Sequence, residues 1–366
     1  MRLLTIGGAM IDTVAIINSE RIERMVMLNA NNSFLLLEEG SKIEADEVSM
    51  HCGGGGVNAA VAMARLGLDV STLIKVGTDQ RAEKLLNVLM SEGVSTRWVM
   101  RDHRAPTGAS VLIASHDRNA GVFTFRGANT LFEVEDLRAE AFATDFVYIA
   151  NLSSKSAELF PAIVERAKAS GARVAVNPGL RQLSAYWADI EAMLGKIDIL
   201  TINQSEACAV VPHLVARTGE GGPALDGDDL PPLAARGLRG GGFEMSLAGF
   251  VTALTDRGLR YLVITDGGRG AYVGTAEAIL YCPVLPCDVK GTTGAGDAFA
   301  ATFTAATALA WPLEDALRAA AINAAAVVGY VDTQTGLLKR EDLAAQLRAR
   351  VDDLPIRQWG LAPVEA

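Results

Sequence analysis

A chain of 366 residues, half of them hydrophobic, can bury a large core and falls between the usual sizes of one domain and two. Its 33 Lys and Arg against 43 Asp and Glu give a net charge of −10 with no long basic run, which excludes the profile of a partner for nucleic acid or an acidic membrane. The 4 cysteines form no C-x-x-C pair, the 4 histidines stand singly, and the first apolar stretch meets Asp12 too soon for a signal peptide, so a cytoplasmic protein with reduced thiols and no zinc is expected.

In chain order, residues 2–6 are a short apolar run stopped by Gly7-Gly8, the pattern of a buried parallel strand. Asp12 follows just beyond it, where open α/β sheets bind ligands. Between residues 13 and 52 only short β-rich pieces occur, at 14–17, 34–37 and 48–52, with polar residues 29–33 and acidic residues 38–40 as spacers. They predict a small β-subdomain at the sheet edge. Gly53-Gly54-Gly55-Gly56-Val57-Asn58 opens a helix that Gly67 closes.

A strand at 70–76 and a helix at 80–92 come next, and the alternation continues. Strands are predicted at 108–114, 122–125, 146–150, 173–177, 197–202 and 261–265, and helices at 157–170, 188–194, 246–257, 297–310 and 314–328. Such alternation predicts an α/β fold with a mostly parallel sheet covered on both faces. The uncharged run between Asp297 and Glu314 is largely Ala and Thr, falls short of a membrane span and reads as a buried helix. Residues 212–242 turn abruptly to Gly, Pro, Asp and Arg, which predicts a flexible insertion; the tail beyond Arg350 has no readable period.

Two glycine-rich loops carry the chemistry. In Gly291-Thr292-Thr293-Gly294-Ala295-Gly296-Asp297 the glycines relax the backbone ahead of an apolar helix, so free N–H groups at its N-terminus favour an anion. Asp297 then stands where a carboxylate takes a proton from a hydroxyl while those N–H groups hold a phosphoryl group. The same residues would also serve as an ordinary turn and first-turn acid. Gly54 to Ala59 fits the relaxed dinucleotide pattern G-x-G-x-x-A, with Asp79 spaced as a ribose-binding acid, and gives a rival reading as an NAD-binding oxidoreductase. Against it, residues 44–49 do not form the buried strand that this fingerprint requires. No G-x-x-x-x-G-K-[ST], H-R-D or D-F-G motif occurs.

Taken in order, the segments resemble the ribokinase-like (PfkB-type) carbohydrate kinases over nearly the whole chain. Gly7 to Asp12 resembles that family's N-terminal sugar-binding segment, Gly53 to Asn58 with Ala64-Arg65-Leu66-Gly67 its first signature, and Lys75 to Asp79 the segment after it. Asn203-Gln204-Ser205-Glu206 matches its N-x-x-E, Thr265 to Gly270 its nucleotide loop, and Gly294-Ala295-Gly296-Asp297 its anion hole and base. The resemblance implies a three-layer α/β/α sandwich as one domain, with a small β-lid drawn from residues 13–52 and 108–126. It implies transfer of a phosphoryl group from ATP, with Mg²⁺, to a hydroxymethyl group of a sugar or related alcohol.

Its site residues, carried over, are Asp297 as base with the backbone of Gly294, Ala295 and Gly296 as anion hole. Asp12, Gly54, Gly55 and Asn58 would face the acceptor, and Asn203, Glu206, Thr265, Gly267, Gly270 and Asn323 the nucleotide, with Glu206 reaching Mg²⁺ through water. Asp12 and Asn58 would also suit turn and cap duty, and Glu206 an ordinary helix acid. Three departures from the family's pattern stand out: Gly55 in place of a Lys of ribokinases with Ser153 in place of an acid for the sugar, which bear on ribose specificity; Gly291 in place of an Asp that helps hold K⁺; and the insertion at 212–242, longer than the family's, which would reach the nucleotide side. K⁺ activation is therefore expected to be weak or absent. A nucleoside kinase is the alternative within the family, and a non-catalytic sugar-binding protein the alternative outside it. The apolar lid strands also predict a homodimer.

Overall fold

The computed structural model of the chain describes residues 1–18, 23–26, 33–36, 40, 42–115 and 120–361. The spacers expected at 29–32 and 38–39, with residue 37, lie outside the described residues. A nine-stranded sheet runs in the order Arg357–Gly360, Ala278–Cys282, Ala271–Gly274, Tyr261–Thr265, Ile199–Asn203, Arg173–Asn177, Phe146–Ala150, Arg2–Ile6, Asp69–Leu73. From Tyr261–Thr265 onward every pairing is parallel, and the first three strands join antiparallel.

The strands that read as continuous apolar runs are buried on both faces, as a covered parallel sheet demands. Along Phe146–Ala150, Phe146, Tyr148 and Ala150 enter one core and Val147 and Ile149 the other. The first core is covered by helices Gly55–Arg65, Gln80–Ser91, Ala295–Ala308, Leu313–Val328 and Arg340–Ala349. The second is covered by Phe160–Ala169, Leu180–Met193, Gln204–Thr218 and Leu247–Thr255, and the result is a three-layer α/β/α sandwich.

A separate four-stranded sheet, in the order Ala120–Phe125, Gly108–Ser115, Met10–Ile17, Glu47–Gly53, stands over the C-terminal edge of the parallel strands. Met10–Ile17 pairs parallel with Gly108–Ser115 and antiparallel with Glu47–Gly53. Asn129 ties its root: the side chain accepts from Ala9 N at 2.8 Å and donates to Ala9 O at 2.9 Å. One face carries the row His51, Asp12, Ser110, Thr124; the other carries Met50, Thr13, Val111, Phe123. Asp12 thus lies within a lid strand rather than in a loop.

Several regions differ from expectation, among them a helix Leu180–Met193 that starts before the expected 188–194 and an unexpected helix Arg340–Ala349. Residues 212–242 are not structureless: Gln204–Thr218 continues through Pro212, and a short helix Pro232–Arg236 and a hairpin Leu238–Gly240/Phe243–Met245 follow. Leu225, Leu233, Leu238 and Met245 are buried, so a few well-spaced apolar anchors order a stretch whose average composition suggested none. The tail forms Arg357–Gly360, an edge strand on Ala278–Cys282. The antiparallel strands Ala271–Gly274 and Ala278–Cys282, which the sequence did not disclose, extend the sheet between them.

Candidate active site

Gly7-Gly8 and the loop Gly53 to Gly56 cross at van der Waals contact. A Cβ on Gly54, at φ 94°, would lie 2.5 Å from Gly8 O, and one on Gly56 would lie 2.9 Å from Gly7 C. Gly56 N donates to Gly8 O at 3.1 Å, which locks the start of Gly55–Arg65 to the end of the first strand. Gly53 leaves room for Asp12, because a Cβ there would stand 2.0 Å from Asp12 Oδ2. A Cβ on Gly55 would meet Ala150 Cβ at 3.0 Å and Asp297 Oδ1 at 3.5 Å, so the bare glycine lets the loop pack closely on the end of Phe146–Ala150 and beside Asp297. The loop Gly53 to Gly56 therefore lies between two carboxyl groups.

The helix Ala295–Ala308 starts at Gly294, which has φ 85° and no side-chain cap. A Cβ on Gly294 would sit 2.7 Å from the Thr333 Cβ, whereas Gly296 faces open space. The first-turn N–H groups consequently point out of the helix end without a side-chain acceptor. Asp297 is partly exposed to the cleft and enclosed by protein elsewhere. Burial raises its pKa and the charge of Asp12 adds to the rise, while a 2.8 Å hydrogen bond from Asn58 Nδ2 opposes it. No cation among the described residues neutralises it.

Asp12 is likewise raised by burial, against the Ser110 hydroxyl that donates to it and the nearby His51. Below the loop, burial and the Asp297 charge push the Tyr148 phenol well up. Asn58 is 4% exposed: its oxygen accepts from Thr333 Oγ1 at 2.9 Å and Gln334 Nε2 at 3.1 Å, and its nitrogen serves Asp297.

Beside Asp297 opens a cleft of about 270 Å³, lined by Asn151, Asn177, Thr201, Asn203, Glu206, Thr265, Gly294 and Gly296 among others. Most of these close or follow parallel strands, the edge where such sheets hold ligands. Asn203 caps Gln204–Thr218 by accepting from Glu206 N at 2.9 Å, and Glu206 Oε2 accepts from Asn203 N at 2.8 Å. Glu206 is thus a capping acid and a cleft residue at once. Burial, with the Asp297 charge adding, pushes it up to about 7 against the Asn203 hydrogen bonds.

Thr265 lines the cleft, while Gly267 (φ 56°) and Gly270 (φ 96°) shape the turn after it. A Cβ on Gly270 would lie 2.4 Å from Cys282 O. Asn323 is fully buried; it donates to Thr302 Oγ1 at 2.7 Å and accepts from Leu338 N at 2.9 Å, so both polar atoms of its side chain are engaged inside the fold. Asn151 and Asn177 in the cleft, and Thr333 and Gln334 at Asn58, belong to none of the motifs above.

The donors suit Mg²⁺ in one respect: oxygen ligands and two poorly solvated carboxyls without a cation, Glu206 and Asp297, flank the cleft. No cluster of three or more His, Cys, Asp or Glu among the described residues would hold a metal outright.

The dinucleotide alternative fails on geometry. The strand entering Gly54, Glu47–Gly53, is an antiparallel lid strand, and Asp79 caps Gln80–Ser91 by accepting from Ala82 N at 3.0 Å.

Among solved structures, ribokinase of Arabidopsis thaliana complexed with ribose and ATP superposes with a TM-score of 0.68 at 20% identity, over 94% of this chain and 98% of that one. The Burkholderia thailandensis nucleoside kinase in complex with inosine superposes with a TM-score of 0.70 at 16% identity, over 96% and 100%. The fold is of the ribokinase class. The deoxyribokinase of Salmonella typhi is 27% identical over 326 residues, 88% of this chain and 94% of that protein. The family described as pfkB family carbohydrate kinase matches residues 22–226 and 241–340, and the chain belongs to that family. It is a carbohydrate kinase, and its relatives support ATP-dependent sugar phosphorylation as the general reaction. No helix among the described residues is long and apolar enough to cross a membrane.

Proposed function

We propose that this kinase transfers the γ-phosphoryl group of ATP to a hydroxymethyl group of a sugar or sugar-like alcohol bound between Asp12 and Asp297, over Gly54 and Gly55. The observation that carries this reading is Asp297 itself: a carboxylate at an uncapped helix N-terminus, oriented by Asn58, without a neutralising cation and open to the cleft. The acceptor oxygen attacks the γ-phosphorus as its proton passes to the Asp297 carboxylate, and the bond to the bridging oxygen breaks to leave ADP. The raised pKa makes Asp297 a stronger base than a solvated carboxylate.

The N–H groups from Gly294 to Asp297 receive the charge on the passing phosphoryl group. Asn203, Glu206 and Thr265 lie where the phosphates would enter, with Gly267 and Gly270 shaping the nucleotide side. Mg²⁺, held through Glu206 and water, would supply neutralisation of the β- and γ-oxygens. The lid row of His51, Asp12, Ser110 and Thr124 closes over the acceptor and excludes water as a competing one.

The test is ADP release with ATP and Mg²⁺ over a panel of sugars, sugar phosphates, sugar acids and nucleosides. Release above the acceptor-free background with a sugar supports the reading, release with nucleosides alone favours a nucleoside kinase, and no release with any of them contradicts it.

The opposite lid face exposes Val48, Met50, Val111, Phe123 and Phe125. Covering that face against a second copy is our reading of the homodimer. Phe123→Glu is expected to convert a dimer to a monomer in light scattering; a wild-type monomer at micromolar concentration contradicts it.

A further inference from the structure

Thr333 and Gln334 follow the helix Leu313–Val328 and belong to no motif read from the sequence, yet their hydrogen bonds decide which way Asn58 faces. An ionised carboxylate only accepts, so the Asn58 atom 2.8 Å from Asp297 Oδ2 has to be its nitrogen. The oxygen is then left for two donors, Thr333 Oγ1 at 2.9 Å and Gln334 Nε2 at 3.1 Å. Turning the amide over would set its oxygen against the carboxylate and its N–H groups against the Gln334 donor. Three hydrogen bonds agree on one orientation. The Thr333 hydroxyl has one longer alternative, Cys52 O at 3.4 Å.

The segment that holds these donors is fixed on every side. Asp332 Oδ1 accepts from Gln334 N at 2.8 Å and Thr335 N at 2.7 Å. Arg65 Nη1 donates to Gln334 O at 2.7 Å and Leu337 O at 2.8 Å, and Arg65 is itself held by Glu92 at 2.6 Å. Asn58 and Arg65 stand two turns apart on one helix, so that helix grips the segment by side chains at one end and by backbone at the other. A Cβ on Gly336 would lie 2.4 Å from Ala326 O, which leaves the segment no room to slide inward. Thr333 also packs against Gly294, the N-cap of the anion-hole helix. With Thr333 at 5% exposure and Gln334 at 8%, neither donor is placed as a surface group.

We infer that Thr333 and Gln334 are positioning residues of the phosphoryl-transfer site, and that through them Asn58 serves the Asp297 base rather than the acceptor. This rests on the reading of Asp297 as base. Among the ionisable groups, Asp12 adds to the rise of the Asp297 pKa, and the Asp297 charge in turn raises Glu206 and Tyr148, so the Asn58 N–H is the donor that favours the carboxylate.

The variants are Thr333→Val, which keeps the shape and removes the donor, Gln334→Met, their combination, and Thr333→Ser as the conservative control. In the double variant kcat is expected to fall about tenfold or more, the cost of a misoriented reacting group, while the acceptor KM changes by less than about twofold. The acid limb of kcat/KM moves to higher pH, and Thr333→Ser restores both in the single-site background. Independently of turnover, the Asp297 carboxyl is titrated by ¹³C NMR, identified by its absence in Asp297→Asn. It is expected to titrate at higher pH in the double variant than in wild type.

An unshifted Asp297 titration in a double variant that retains the wild-type circular dichroism overturns the inference. So does a raised acceptor KM with kcat and the acid limb unmoved, which would put Asn58 on the acceptor. If the wild type phosphorylates no acceptor the proposed function fails, and the NMR titration still decides the positioning role.

Discussion

Two groups of acids in this molecule have opposite surroundings. At the corner beneath the lid root, Asp102 receives three hydrogen bonds from the Arg104 side chain, the shortest 2.6 Å, and lies 3.4 Å from Lys75 Nζ. The Arg104 guanidinium holds the Asp102 carboxyl well below the usual range despite burial. Lys75, 4% exposed, is completed by Asp136 at 2.8 Å and Leu131 O at 2.7 Å. In the cleft, Asp12, Asp297 and Glu206 are desolvated with no Lys or Arg among the described residues bonded to them, and all three are raised. The corner is complete as folded; under the proposed function the cleft would be completed by a cation, a phosphate and an acceptor. On the proposed reading, that difference separates acids that hold the fold from acids that would act on a substrate.

The contrast breaks if the corner can be dismantled without loss of stability. Asp102→Asn leaves a buried Lys75 without one of its two carboxylates and is expected to cost on the order of 3 kcal/mol, read from the denaturant midpoint, with turnover per folded molecule unchanged. A midpoint equal to wild type would show that the network is not structural.

Glu206→Gln tests the other side. Because the folded pKa, about 7, lies above the unfolded value, the unfolded chain releases this proton first, and native stability falls as pH rises from the unfolded pKa through the folded one. Removing the charge is therefore expected to stabilise the ligand-free protein at pH 8, by on the order of 1–3 kcal/mol, and to make no difference well below the unfolded pKa. Destabilisation at pH 8 would mean that Glu206 is already neutralised in the fold.

The smallest effect concerns the monovalent cation. Gly291 offers no carboxylate, and Asp332 is committed to the N–H groups of Gln334 and Thr335. Replacing K⁺ by Na⁺ or a bulky organic cation at fixed ionic strength is expected to change turnover by less than about threefold, under ~0.7 kcal/mol. Saturable activation of tenfold or more would contradict this.

What was legible in the sequence was what is local. Phe146–Ala150, Arg173–Asn177 and Tyr261–Thr265 read correctly because both of their faces are buried and the apolar run is unbroken. Ala271–Gly274, Ala278–Cys282 and Arg357–Gly360 are short, antiparallel and ordered by pairing with one another, which no single segment displays. Gln204–Thr218 escaped notice because Pro212 interrupts it, although Asn203 and Glu206, read for another purpose, are its capping box. The glycine loops and Asp297 stood out because glycine and acid announce themselves at one place in the chain. Thr333 and Gln334 reach Asn58 across 275 and 276 positions, and no spacing rule connects them.

The central claim is that Asp297 is the base of a phosphoryl transfer to an alcohol. It is tested most directly by comparing Asp297→Asn with wild type on an acceptor that supports turnover, with ATP affinity measured in parallel by calorimetry. The expected result is a loss of kcat by on the order of a hundredfold or more with ATP affinity and fold retained. A variant that kept more than about a third of wild-type turnover would contradict the assignment, since general-base catalysis contributes far more than that factor.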